Sequence, residues 1–188
     1  MGRVALTPSA TGRAALLAAV AAFALHAPAQ AQGASMEYAV KAAYLYKFAP
    51  FVEWPPVAFA SAASPFQLCI LGQDPFGASL DQAVSGQRVG GHPVAVRRLD
   101  RVDVGSGCHL LYLGASRKQT ADEALRAVRG SPILTVADGG RDAGAIIRFV
   151  VKDNRVRFEI DTVAAAANHV TISSKLLSLA TSFRTGTS

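Results

Sequence analysis

Three short apolar runs, FQLCIL at residues 66–71, HLLYL at 109–113 and PILTV at 132–136, are separated by segments with helical starts, and this alternation narrows the possible folds more than any other feature. A strand with one wet face alternates apolar and polar residues. Runs apolar at nearly every position belong to strands covered on both faces, the condition of a parallel sheet between helix layers. The intervening segments agree. Asp74 can cap free amides and Pro75 suits a first helical position, so a helix is expected over 75–84; a second is expected over 116–128, with Ala124, Leu125 and Val128 on its apolar side. Residues 93–98 are rich in β-formers and add a strand, entered through a turn-rich link at Gly86, Gly90 and Gly91.

Beyond residue 145 the pattern changes to tight alternation, AIIRFVVK and then RVRFEI, with Asp153 and Asn154 between them as a two-residue turn. A hairpin in this register sets Phe149 opposite Phe158 and Val151 opposite Val156, facing the core. Arg148 then lies opposite Glu159 on the other face, beside Arg157. Residues 161–168 and 173–182 read as two short helices, the second turning Leu176, Leu177 and Ala180 inward. The expected architecture is a single-domain α/β fold: a mostly parallel sheet flanked by helices on both faces, with a C-terminal antiparallel hairpin.

The chain opens with Arg3 and Arg13, the apolar run AALLAAVAAFAL, and Ala29-Gln30-Ala31, the pattern of a secretory leader with its cleavage site after Ala31. Twelve apolar residues are short for crossing a hydrocarbon layer of roughly 30 Å, and no cysteine follows as a lipidation site. Residues 1–31 are therefore expected to be a signal peptide and residues 32–188 one exported, soluble domain. Losing Arg3 and Arg13 lowers the formal charge from +6 to +4. Much of the remaining basicity is spread over arginines from Arg97 to Arg157 without interleaved aromatics, which argues against a nucleic-acid partner.

Residues 38–55, YAVKAAYLYKFAPFVEWP, form an amphipathic helix of about four turns by the spacing of Val40, Tyr44, Phe48, Phe51 and Val52, with Lys41 and Lys47 elsewhere; Trp54, Pro55 and Pro56 end it. This string, followed in order by PILTVAD at 132–138, RVRFEID at 155–161 and ISSKLLSLA at 172–180, resembles the YfiR family of bacterial periplasmic proteins across about residues 37–181.

The residues themselves point away from catalysis. GQDPFGAS at 72–79 has the glycine spacing of a phosphate-cradling loop, but Ala78 stands where the lysine belongs and Asp74 brings a negative charge inside. Ser173, Ser174 and Lys175 do not make an S-x-x-K motif, because Ile172 occupies the serine position. Cys108 and His109 are adjacent in a strand and point to opposite faces, so they form no thiolate–imidazolium couple. Two cysteines and the histidines His92, His109 and His169 lack metal-ligand spacing, and no cofactor is expected. Cys69 and Cys108, an even count in an oxidising compartment, either form a disulfide closing a loop of about 40 residues, stabilising by roughly 4 kcal/mol, or stay as two buried thiols.

A polar cluster of Arg148, Arg157 and Glu159 could hold a small anion or a partner's side chain, or be a surface ion pair. The resemblance adds that Glu159, Thr171 and Ser173 lie near a ligand-accepting or partner-facing region. It implies a non-enzymatic, homodimeric periplasmic repressor that holds the sensor region of an inner-membrane diguanylate cyclase inactive, lowering cyclic di-GMP synthesis and biofilm formation. It further implies relief of repression through an outer-membrane lipoprotein or a redox change. The alternative is a periplasmic small-ligand-binding protein with its pocket near Trp54 and the Arg148, Arg157 and Glu159 face.

Overall fold

The computed structural model describes residues 1–2, 29–139 and 144–186; the expected leader thus falls almost wholly outside the described residues. Two compact units divide the chain, Met1–Ala34 and Ser35–Ser188, and the second carries the sheet. Its strands are β1 (Val52–Glu53), β2 (Phe66–Leu71), β3 (Arg88–Val89), β4 (His92–Leu99), β5 (Leu110–Leu113), β6 (Leu134–Asp138), β7 (Ile147–Lys152), β8 (Arg155–Asp161), β9 (Thr171–Ile172) and β10 (Ser182–Arg184). The helices are α1 (Ala29–Phe48), α2 (Ala78–Val84), α3 (Ala121–Ala127), α4 (Thr162–Ala167) and α5 (Ser174–Leu179).

Among the described residues, eight strands form one sheet in the order β10-β8-β7-β6-β5-β2-β4-β3. The pairs β4–β2, β2–β5, β5–β6 and β6–β7 are parallel, as is β8–β10, whereas β7–β8 and β3–β4 are antiparallel hairpins. The mostly parallel α/β architecture expected from the sequence is present. Alternate residues of the central strands separate two apolar layers. Leu68, Ile70, Leu110, Tyr112, Leu134 and Val136 pack with Leu45 and Phe48 of α1 and Leu80 of α2, while Cys69, Leu71, Leu111, Leu113 and Ala137 pack with Ala124 of α3 and with Val128 just beyond it. Burial on both sides is why these strands are apolar at nearly every position.

The β7–β8 hairpin has the anticipated register: Phe149 faces Phe158, Val151 faces Val156 and Arg148 faces Glu159. Asp153 and Asn154 both take positive φ, as a twist-matched two-residue turn demands. One expectation fails there: Val151 is 52% exposed, because the hairpin tip runs past the helices that would cover it.

Other differences have local causes. The first helix ends at Phe48, and Ala49–Phe51 continue as a 3-10 turn into β1, which pairs antiparallel with β9. Its buried face is Ala42, Leu45 and Phe48, with Lys41 among them and Ala49 buried just beyond, whereas Val40 is 42% exposed. Both sides of this helix are apolar, so periodicity alone does not choose the inner one. Helix α2 begins at Ala78, not Pro75: Asp74 Oδ1 accepts the amides of Phe76 (2.7 Å) and Gly77 (3.2 Å), closing a turn that precedes the helix, and Gly77 at φ 51° breaks helical geometry. Helix α3 begins at Ala121, not Ser116, because Thr120 and Glu123 form a capping box and Ser116 Oγ accepts the amides of Lys118 and Gln119. Strands β1, β3, β9 and β10 are additions to the sequence expectation; each has two or three residues, too few to show a period.

The disulfide is formed. Cys69 and Cys108, with Cα atoms 5.8 Å apart, are both buried and join β2 to the residue leading into β5.

Candidate functional site

Strand alternation projects Arg148 and Glu159 from the sheet face opposite Phe149 and α1. Arg148 Nε donates to Glu159 Oε2 at 3.1 Å and its terminal nitrogen donates to the same oxygen. The Arg148 bond holds the Glu159 carboxyl below the ordinary carboxylate range, with partial desolvation opposing it and the Ser182 hydroxyl assisting. Beside the pair, Arg184 bonds Asp161, and the four charges border a depression of about 350 Å³ that also includes Ser182 and Phe183. Each guanidinium is matched by a carboxylate within the same depression, so no net positive charge is available to draw in an anion. Arg157 is exposed on the same strand face, opposite Val150 and outside that depression.

Trp54, Thr171 and Ser173 belong to a different neighbourhood. Glu53 pairs with Thr171 across β1–β9, and the Ser173 amide donates to Phe51 O at 2.9 Å. Ser173 Oγ accepts the amide of Leu176 at 3.3 Å, which makes it the N-cap of α5. The indole of Trp54 meets Phe66 edge-on at 5.3 Å, and its buried Nε1 has no hydrogen-bond partner among the described residues. Phe66 belongs to the layer facing α1, so Trp54 lies on the sheet side opposite Arg148 and Glu159. Among the described residues, the structure therefore divides the six sequence-derived residues between two neighbourhoods, with Trp54 and the arginine face on opposite sides of the sheet.

Next to Trp54 is a stack that motif reading does not reveal. Phe59 lies between His92 and His109, with ring centroids 4.1 Å and 4.3 Å away, and His109 also stacks on Phe66 at 5.2 Å. Cys108 instead joins the layer against α3, so the two adjacent residues do project to opposite sides. His109 Nδ1 accepts the Gln67 amide at 2.9 Å, leaving Nε2–H to donate to Ala58 O at 2.9 Å. Burial, with the charge of His92 adding to it, lowers the His109 pKa from 6.5 against the opposing bond to Ala58. The sign follows: the unfolded chain takes up the proton more readily, so stability is full above pH 6.5 and falls as the pH drops below it. Thermal melts between pH 7.5 and 5 should show a fall in the midpoint that His109→Asn reduces.

A second buried group is also absent from the sequence reading. Lys41, only 3% exposed, donates to Glu37 one turn earlier and to Asp138 at the end of β6. Asp138 Oδ2 accepts the Tyr112 hydroxyl at 3.1 Å, and the Lys41 ammonium lies 4.8 Å from the centre of the Tyr38 ring. Burial lowers the Lys41 pKa, but the bonds to Asp138 and Glu37 outweigh it, so the ammonium is held above its usual 10.5. The i,i+4 spacing of Glu37 and Lys41 was the one legible sign.

Among the described residues no group of three or more histidine, cysteine, aspartate or glutamate side chains is placed to hold a metal ion, and no helix is long and apolar enough to cross a membrane. Residues 38–181 match the model of a protein family described as YfiR/HmsC-like.

Proposed function

This chain belongs to the YfiR/HmsC-like family, and from that premise we propose that it is a periplasmic repressor which binds the periplasmic sensor region of an inner-membrane diguanylate cyclase and lowers cyclic di-GMP signalling and biofilm formation. The match across residues 38–181 is the observation that carries the proposal. The buried Cys69–Cys108 bond supports export, since such crosslinks persist in oxidising compartments. Repression of this kind needs no chemistry. A surface that favours one sensor conformation by about 1–3 kcal/mol is enough to set the output. In the same reading the repressor works as a homodimer, and an outer-membrane lipoprotein relieves it.

Two experiments test this. The mature oxidised protein, used as bait on detergent-solubilised membranes, should recover a membrane diguanylate cyclase, and deleting the gene should raise cellular cyclic di-GMP. A folded bait that captures no cyclase, together with unchanged cyclic di-GMP, overturns the repressor reading. The Arg148, Arg157 and Glu159 face is the proposed contact. Glu159→Gln removes a partly exposed ion pair worth at most about 1 kcal/mol, so the variant should stay folded while cyclic di-GMP rises several-fold. Full repression by that variant moves the contact to the side bearing Trp54, Thr171 and Ser173.

A further inference from the structure

The chain goes from β2 through α2 to β4 on one side, then places β5 on the other side of β2. At such a reversal of strand order the loops leaving the strand ends diverge, and the crevice between them is where open α/β sheets hold ligands. Here β2 ends in Gly72 and Gln73, β5 ends in Gly114, Ala115 and Ser116, and β6 ends in Asp138. Between them lies a crevice of about 490 Å³, in the range of small-molecule sites.

Its floor is pre-built. Gln73 N donates to Ala115 O at 2.8 Å, Gly114 N to Leu71 O at 3.0 Å and Gly72 N to Leu99 O at 2.8 Å. A Cβ on Gly114 would meet Gln73 O at 2.3 Å, and one on Gly72, whose φ is +70°, would meet Ala115 O at 2.5 Å. These two glycines let the loops touch backbone to backbone, which fixes the crevice without a ligand.

The lining defines the ligand's chemistry. Asp138 is its one charged residue; Tyr38 supplies aromatic surface and Pro75 and Ala121 supply apolar surface, while Tyr112 and Leu113, 2% and 4% exposed, are almost wholly buried behind it. Behind Asp138 the Lys41 ammonium is buried, whereas the carboxylates of Asp138 and Glu37 keep 29% and 33% of their side-chain exposure. Solvent therefore meets the negative members of a group whose formal charge is −1. An anion gains nothing from the carboxylates, whereas a cation gains from Asp138 and from the Tyr38 ring face, as Lys41 itself does over Tyr38.

We propose that this crevice, walled by Tyr38 and ended by Asp138, binds a small organic cation with an ammonium group on a compact apolar frame. The ammonium is oriented to Asp138 and the frame lies along Pro75 and Ala121. Since Tyr38 is on α1 while the other walls belong to the sheet and its loops, occupancy ties α1 to the strand ends. The proposal is independent of the repressor reading and concerns neither Trp54 nor the Arg148 face.

Calorimetric titration of the mature protein tests it, with phenethylamine and choline as cationic probes and phenylacetate as the anionic counterpart. Saturable binding of at least one cation and none of phenylacetate is expected. Asp138→Asn should weaken cation binding at least tenfold. Because that change also touches Lys41, Ala115→Trp provides a second variant: Ala115 is exposed, its carbonyl contact to Gln73 is backbone, and the indole would fill the crevice. It should abolish binding with the melting midpoint unchanged. Absence of cation binding to the wild type, equal binding of phenylacetate, or unaltered affinity in folded Ala115→Trp each overturns the proposal.

Discussion

Replacing Cys69 and Cys108 together by alanine should lower the unfolding midpoint of the protein by about 10 °C, and a reductant strong enough to open the bond should do the same to the wild type. The bond closes a loop with a sequence separation of 39, for which the chain-entropy relation gives about 4 kcal/mol. In a domain of this length each kcal/mol moves the midpoint by roughly 2–4 °C. The loop runs from the middle of β2 through α2, β3 and β4, so the crosslink restrains the half of the sheet beyond the strand-order reversal in the unfolded ensemble. Both sulfurs lie in the apolar layer against α3 and do not titrate or bind there, so alanine leaves a small void and no unsatisfied polar group. Differential scanning calorimetry with and without reductant reads the effect. An unchanged midpoint after verified reduction would show that the crosslink does not constrain the domain, and would also remove redox control through this bond from the repressor scheme.

The parts of this fold that are legible in the sequence are those whose neighbours are close along the chain or whose burial is complete. FQLCIL is a strand over its entire length, and the register of Phe149 with Phe158 and of Arg148 with Glu159 follows from a two-residue turn and period-two alternation. Strand order was not legible: nothing in the run 110–113 says that it lies beside β2 and not beside β4. Helix starts were misplaced because Asp74 and Ser116 spend their side chains on turns one step before the helices, a competition that local propensity does not resolve. The arginine–glutamate pair was legible as a hairpin consequence. The grouping of Trp54 with it was not, since the two lie on opposite sheet faces and are brought to their places by long-range packing.

Lys41 shows the limit most sharply, and the second large effect is predicted there. A lysine on an apolar helix face is normally read as turning to solvent, because burying an unpaired ammonium is costly. It is buried here because Asp138, 97 residues later, ends β6 under α1 and Glu37 lies one turn back. The two halves of the group should respond unequally to mutation. Asp138→Ala leaves a buried ammonium with Glu37 as its carboxylate partner, and should cost about 3 kcal/mol, a fall of roughly 6–12 °C in the midpoint. Lys41→Met should cost about half as much: the carboxylates left behind are each about one-third exposed or less but reach water, and the methionine can keep the contacts with Tyr38 and Phe149. The double variant should then be more stable than Asp138→Ala alone, since removing the lysine removes a buried ammonium that has lost one of its two carboxylates. The raised Lys41 pKa fixes the pH sense of the contribution, which is complete at neutral pH and is lost only as the pH climbs past 10.5 and through the folded value. Denaturant melts of the three variants at pH 7 decide the matter: Asp138→Ala no less stable than Lys41→Met would mean that the ammonium finds water, and that α1 is not anchored to β6 through this charge.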